Sequence, residues 1–213
     1  MHGEPGGAES SGAAGRGFTA QALQVEPPNS VAIGPHHRCN AFACKQSERI
    51  ANFLTREGPE LFEKRYCSIF ILPNPADQTE IWGYYTLSPS ALVRRRATGS
   101  DQKRIPGGIP IPMALIGYMG RHDETPKGFG KSILVDAARR VYRNSDLRAW
   151  GLMLDSEGGK ENKKLWDWYI AFGFAAAKPE SDGQASGVLY GPLQKFIPEL
   201  AIKAAERAAA NSP

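Results

Sequence analysis

The chain is poor in cysteine and has no long apolar run, and each shortage excludes a class of protein. Three cysteines in 213 residues are an odd number without framework spacing, so a disulfide scaffold is excluded and a reducing, cytoplasmic setting is expected. No apolar run approaches the ~20 residues that span a bilayer, so no membrane partner is expected. The first residues, Met1-His-Gly-Glu-Pro-Gly-Gly, lack a basic n-region and an apolar h-region and do not read as a secretory signal. Charge of one sign is also short of a real excess. With 26 Lys and Arg against 22 Asp and Glu, the net charge is +4, too small by itself to announce a nucleic-acid partner. What is present, 41% hydrophobic residues, suits one globular domain with a sizeable core and tails.

Residues 1–24 are rich in Gly, Ala and Ser and read as a disordered tail. The folded domain is expected over 25–192, with a C-terminal helix and tail over 193–213. Ile50, Phe53 and Leu54 fall at helical spacing, so a helix is expected over 45–57. Gly58-Pro59 reads as its end, and a short second helix follows over 59–65. Cys67–Leu72 reads as a buried strand, Pro73–Gln78 as a turn and Ile81–Leu87 as a second strand. Residues 88–110 read as irregular and basic. A strand is expected from Ile111 to Met119, a helix over 129–143, a strand over 150–154 and a helix over 160–172 that ends at Gly173. Val188–Tyr190 is expected to close the sheet, and a last helix covers 198–210 with Pro198 in its first turn. This alternation gives an α/β fold.

Two stretches carry chemistry. Thr125-Pro-Lys-Gly-Phe-Gly130 is a glycine-bearing turn opening an amphipathic helix, whose positions Ile133, Leu134, Ala137, Ala138 and Val141 follow the helical period. Glycines there let a ligand approach the backbone, and first-turn N–H groups with Lys127 and Lys131 suit a phosphate. The second stretch, Tyr169-Ile-Ala-Phe-Gly-Phe174, ends a later helix. A third feature is charge placement: Arg94, Arg95, Arg96, Lys103 and Arg104, against Asp101 alone, carry as much excess as the whole chain. His36, His37, Cys39 and Cys44 crowd into nine residues without a second half-site, so no metal is expected. No side chain declares itself as a general base, and Asp155 and Glu157 read as solvated. An α-amine, with a pKa near 7.7–8.0, needs less help to lose its proton than a lysine side chain.

Together the glycine turn and the Tyr-x-x-x-Gly-Phe segment resemble those of the GNAT superfamily of acetyl-CoA-dependent N-acetyltransferases. In that family the turn usually reads Gln-Gly-Lys/Arg-Gly-Leu/Ile-Gly. Here the middle basic residue and the last two glycines match, and the leading Gln-Gly does not. Further segments resemble the GNAT toxins that acetylate aminoacyl-tRNA: Phe42-Ala-Cys44, Ile50-Ala-Asn-Phe-Leu54, Ile81-Trp-Gly-Tyr-Tyr-Thr-Leu87 and, more loosely, Ile111–Arg121. The resemblance implies the GNAT fold, a central mixed, mostly antiparallel twisted sheet flanked by helices. It implies acetyl-CoA as co-substrate, held by the main chain of Met119, Gly120 and Arg121 in a strand that splays from its neighbour. Lys127, Gly128, Phe129, Gly130 and Lys131 would hold its pyrophosphate, and Tyr169 would face the departing sulfur.

A toxin of this kind has charged tRNA as acceptor, for which Arg94, Arg95, Arg96 and Arg104 are the candidate contacts. Its partners would be a small ribbon-helix-helix antitoxin and a second copy in a homodimer. Two other functions fit the same motifs: acetylation of a small amine, a peptide or a protein, and a catalytically silent GNAT-like binding module.

Overall fold

Among the described residues, runs of β-branched and aromatic residues between Gly- and Pro-bearing turns become eight strands of one sheet. The computed structural model describes residues 29–104, 106–107, 109–144, 146, 148–180 and 186–210, so the tail expected over 1–24 lies outside the described residues. In chain order the elements are β1 (Val31–Ala32), α1 (Glu48–Asn52), α2 (Gly58–Glu63), β2 (Ser68–Asn74), β3 (Asp77–Leu92), α3 (Gly99–Arg104), β4 (Ile111–Ile116) and β5 (Met119–Arg121). They continue with α4 (Phe129–Arg143), β6 (Gly151–Asp155), α5 (Lys163–Phe172), β7 (Ala175–Ala176), β8 (Val188–Pro192), α6 (Leu193–Phe196) and α7 (Pro198–Ala210). The sheet order is β1-β2-β3-β4-β6-β8-β7, with β5 paired to β3 off this path. Every pairing is antiparallel except β4 with β6.

Several expected boundaries shift. Gly58-Pro59 does not end a helix: α1 runs through a π-type turn, Phe53–Glu57, directly into α2. Gly58 keeps helical angles, and a Cβ there would lie 3.1 Å from Ile69 Cδ1, so the glycine serves close helix-to-sheet approach. Pro59, in the first turn of α2, gives no N–H to the preceding turn, and the run passes it where the π-type turn has already loosened the regular ladder. The stretch 88–110 is not wholly irregular. β3 extends to Leu92 because Ser88–Leu92 pairs with Ile111–Leu115, and Arg94–Arg96 and α3 are short helical turns. Val188–Pro192 does not close the sheet, since the two residues of β7 pair outside it.

Side-chain alternation along the strands divides the core. On one face Tyr85, Ala114, Ile116, Leu152, Leu154 and Leu189 meet the expected stripe of α4 and the α5 residues Trp166 and Tyr169. Leu193, Phe196, Ile197 and Leu200 join this same core from the C-terminal segment. On the other face α1, the π-type turn and α2 cover Ile69, Ile71, Ile81 and Tyr84. Beside them the segment carrying Leu92 and Ala97 covers Ile111, Met113, Met153 and Tyr190.

Candidate active site

The strand expected from 111 to 119 is broken, and the break builds the site. Ser88 faces Leu115 and Tyr85 faces Met119, so two residues of β3 (Thr86, Leu87) oppose three (Ile116, Gly117, Tyr118). This is a one-residue bulge, which bends a strand and raises its twist. Thr86 Oγ1 accepts the displaced Tyr118 N–H at 2.9 Å. Beyond the bulge the chain stays with β3 but leaves β6, whose pairing to β4 stops at Ile116 and Leu154.

The hydrogen bonds Thr86 N–H to Tyr118 O (2.8 Å) and His122 N–H to Trp82 O (2.7 Å) show which main-chain groups of β5 serve the sheet. Tyr118, Gly120 and His122 face β3. By alternation Met119 and Arg121 turn their N–H and C=O groups to the opened side, where no strand sits among the described residues. Gly120 has a steric reason as well. A Cβ there would lie 2.3 Å from Ile50 Cγ2 of α1, and α1 is held down on this spot by Tyr84 Oη donating to Ile50 O at 2.6 Å.

The glycine turn follows directly. Gly128 is left-handed, with φ 93°, and stands at the N-terminus of α4 with open space around its Cα. Phe129 N–H is spent on Pro126 O (3.2 Å) and Lys131 N–H on Gly128 O (2.9 Å). The expected donors therefore narrow to the amides of Gly128 and Gly130, which bond to no described residue. Lys127 and Lys131 are exposed beside them. Arg121 sits behind the turn and braces it, its Nη1 donating to Thr125 Oγ1 at 3.2 Å. These groups fit a diphosphate: uncommitted amides at a fifteen-residue helix N-terminus, a residue without a side chain to obstruct it, and two cations.

Tyr169 lies on the helix-covered face, its ring 5.0 Å from Trp168 and 5.6 Å from Phe174. α5 is fixed at both ends, by the Asn162 side chain accepting from Leu165 N–H and by left-handed Gly173 (φ 118°). The Tyr169 hydroxyl takes no hydrogen bond from a described residue. Burial first, then the Glu157 charge, pushes its pKa up to about 12.

The arginines expected to meet tRNA divide. Arg96 is committed: Nε donates to Lys178 O (2.9 Å), Nη1 pairs with Glu180 (2.6 Å) and Nη2 donates to Ser186 Oγ (3.1 Å). Arg94 Nε donates to Gln102 O at 3.0 Å. Arg95 is exposed and bonds to no described residue. The side chain of Arg104 lies outside the described residues.

Among the described residues, no three His, Cys, Asp or Glu side chains converge as metal ligands, and no helix is long and apolar enough to cross a membrane. A cleft of about 560 Å³ runs along the other flank of α4, lined by Leu72, Pro73, Trp82, Phe129, Lys131 and Val135. It touches the glycine turn through Phe129 and Lys131 but includes none of β5, β6 or Tyr169.

Sequence reasoning passed over Ser47, Arg49, Tyr118 and, as a functional group, Glu157. Tyr118 stacks on Phe53 with ring centroids 3.6 Å apart, and Arg49 lies over the Tyr118 ring at 5.4 Å. Ser47 Oγ donates to Glu157 Oε1 at 3.2 Å. These residues come together only through the packing of α1 across the splay. The Ser47-x-x-Ile50 cap was the one local signal.

A mostly antiparallel sheet, splayed by a bulge beside a glycine-led helix N-terminus, is the GNAT fold. No family model matches the chain. Solved structures match over most of its length. AtaT complexed with acetyl-methionyl-tRNAfMet aligns with a TM-score of 0.67 at 21% identity, covering 83% of this chain and 98% of that one. A Tyr-to-Phe variant of KacT aligns at 0.66 with 20% identity, covering 80% and 98%. AtaTR bound with AcCoA aligns at 0.58 with 19% identity, covering 78% and 94%. At such identities the shared property is the fold.

Proposed function

We propose that this protein transfers the acetyl group of acetyl-CoA to a primary amine, and that its preferred acceptor is the α-amine of aminoacyl-tRNA, as the toxin of a toxin–antitoxin pair. The observation that carries the reading is the pairing of open main-chain groups at Met119 and Arg121 with open amides at Gly128 and Gly130, all on one side of a bulge-made splay. The turn amides, Lys127 and Lys131 hold the pyrophosphate. The Met119 and Arg121 main chain holds the pantetheine arm and the thioester carbonyl, and fixed donors aimed at a developing oxyanion are usually the largest catalytic contribution.

Tyr169 serves the leaving sulfur. With the phenol pushed up to about 12 and a thiol near 8.5, full proton transfer even to the departed thiolate is uphill by roughly 5 kcal/mol. The hydroxyl therefore works by hydrogen bonding to the departing sulfur, and any proton it passes on is replaced by the one the amine nitrogen loses. The acetylated methionyl-tRNA bound to AtaT supports a charged tRNA as acceptor here. AtaT bound to the C-terminus of the antitoxin AtaR and the KacTA–DNA complex support an antitoxin partner, for which a small ribbon-helix-helix protein is proposed, alongside a homodimer.

Calorimetry with coenzyme A, then transfer of labelled acetyl to charged and uncharged tRNA, tests this. Binding and transfer to charged tRNA alone are expected. Absence of coenzyme binding overturns the reading, and binding without turnover on any amine leaves a silent module. If the arginine segment meets phosphates, Arg95→Ala lowers the salt dependence of tRNA affinity by about one unit of slope at unchanged stability. Arg96→Ala instead costs stability, because its guanidinium ties three neighbours.

A further inference from the structure

Glu157 belongs to neither motif, yet it stands where three elements around the splay meet. We infer that its carboxylate holds the ammonium group of the acceptor, making Glu157 the anionic contact on the acceptor side of the site. The inference rests on the acetyltransferase reading and deepens it.

Position is the first argument. Glu157 comes two residues after β6, just past the point at which β6 loses β4 as a neighbour. Its backbone is held: Asn162 Nδ2 donates to its carbonyl at 3.2 Å, and the loop turns through left-handed Gly158 (φ 75°) and Gly159 (φ 53°). Its side chain meanwhile stays exposed. Across the splay, Ser47 of the α1 cap donates to Oε1, while Oε2 accepts from no described residue. On the α5 side the same charge acts on Tyr169. The same charge acts on Arg49 of α1, so the carboxylate lies within electrostatic range of both the proposed leaving-group residue and the helix across the splay.

Two neighbouring carboxylates are directed elsewhere. Both oxygens of Asp123, just after β5, accept Lys45 N–H, at 3.0 and 3.1 Å. Asp155 points at β8, where a Cβ at Gly187 would lie 2.2 Å from its Oδ1. Glu157 Oε2, beside the α1 cap, stays free of any described donor. The aromatic pair Phe53–Tyr118, with Arg49 over it, forms the adjoining wall.

Moving a proton from an ammonium to a carboxylate is uphill by roughly 5 kcal/mol at their reference values, so the role is to hold and orient rather than to deprotonate. The ammonium releases one proton to solvent. With one remaining N–H donated to Oε2, the lone pair forms the C–N bond as the C–S bond breaks. The nitrogen then gives up a second proton, and the sulfur gains one through Tyr169, so the products are the amide and the free thiol.

The test uses the full chain and its Glu157→Gln and Glu157→Asp variants. Three readouts apply: coenzyme A affinity, initial rates on total tRNA charged with amino acids, and inhibition by the same tRNA after nitrous acid has converted the α-amine to a hydroxyl. Coenzyme affinity is expected to stay unchanged. Glu157→Gln raises KM for charged tRNA about tenfold or more, the size of a lost charge-assisted contact. Glu157→Asp recovers part of this, and the hydroxyl form inhibits wild type and Glu157→Gln equally. A wild-type KM in Glu157→Gln overturns the inference alone. So does a parallel loss of inhibition by the hydroxyl form, which shows altered shape in place of a lost charge contact. A wild-type protein that binds no coenzyme A, or leaves charged tRNA untouched, overturns the underlying reading and this inference with it.

Discussion

At the scale of single residues, the proposed site rests on two glycines and a tyrosine whose reasons differ. Gly128 is required by its backbone, since φ 93° strains any residue with a Cβ. Gly120 is required by its neighbour, because Ile50 occupies the space a side chain would need. Gly120→Ala is expected to cost about 1–3 kcal/mol in denaturant melts as α1 is pushed off β5. Tyr169 is a core aromatic by packing, its hydroxyl takes no partner among the described residues, and it is the proposed donor to the departing sulfur. Tyr169→Phe should therefore leave thermal stability and coenzyme affinity nearly unchanged while turnover falls on the order of a hundredfold. A large loss of stability in that variant would mean that the hydroxyl has a structural partner.

At the scale of elements, α4 must be aimed as well as capped, and a buried polar network does the aiming. Asp136 accepts from Asn29 N–H (2.5 Å), Ser30 N–H (3.0 Å), Ser30 Oγ and the Tyr85 hydroxyl (2.7 Å). Arg140, one turn on, donates to the Tyr85 hydroxyl and to Ser30 O and Oγ, with its guanidinium 4.0 Å from the Phe70 ring centroid. The network ties the residues just before β1, and β3, to the helix whose N-terminus is the proposed phosphate cradle. Asp136→Ala leaves the buried Ser30 N–H without its acceptor and strips Ser30 Oγ and the Tyr85 hydroxyl of one, so a loss of about 3 kcal/mol is expected in urea melts. Weaker coenzyme binding should accompany it as the helix loses its aim. The bulge at Ile116–Tyr118 is the complementary device: it frees β5 from β6 while Thr86 satisfies the stranded amide. The expected Ile111–Met119 strand missed it because no residue in the segment marks where the register slips. What decides the slip is β3, which pairs with both halves.

At the scale of the whole molecule, tyrosine burial sets a limit on alkaline stability. Burial raises the phenols of Tyr84, Tyr85, Tyr169 and Tyr190. It also raises the half-buried thiols of Cys39, Cys44 and Cys67. A raised folded-state value means that the folded chain keeps protons the unfolded chain releases. Stability is then full below the unfolded values and falls as pH rises past about 8.5 for the thiols and about 10 for the phenols. Urea midpoints should be flat to about pH 8 and drop steeply above about pH 10; a midpoint that holds to pH 11 would contradict the burial. Much of this architecture was legible locally. The α4 stripe, the Gly173 cap and the Gly-Tyr-Tyr strand were read from period and turn chemistry, because a helix or a buried strand writes its own repeat into adjacent residues. The same local reading stopped a helix at Gly58-Pro59, where packing against Ile69 carries it on, and treated Arg94 to Arg96 as one phosphate-facing set, where Arg96 is spent on Lys178, Glu180 and Ser186. Sequence alone determined the elements and the glycine turn, since those depend on neighbours a few residues apart. Tertiary structure alone decided the bulge, the splay and the meeting of Ser47 with Glu157, since each arises from contacts between segments that no local spacing records.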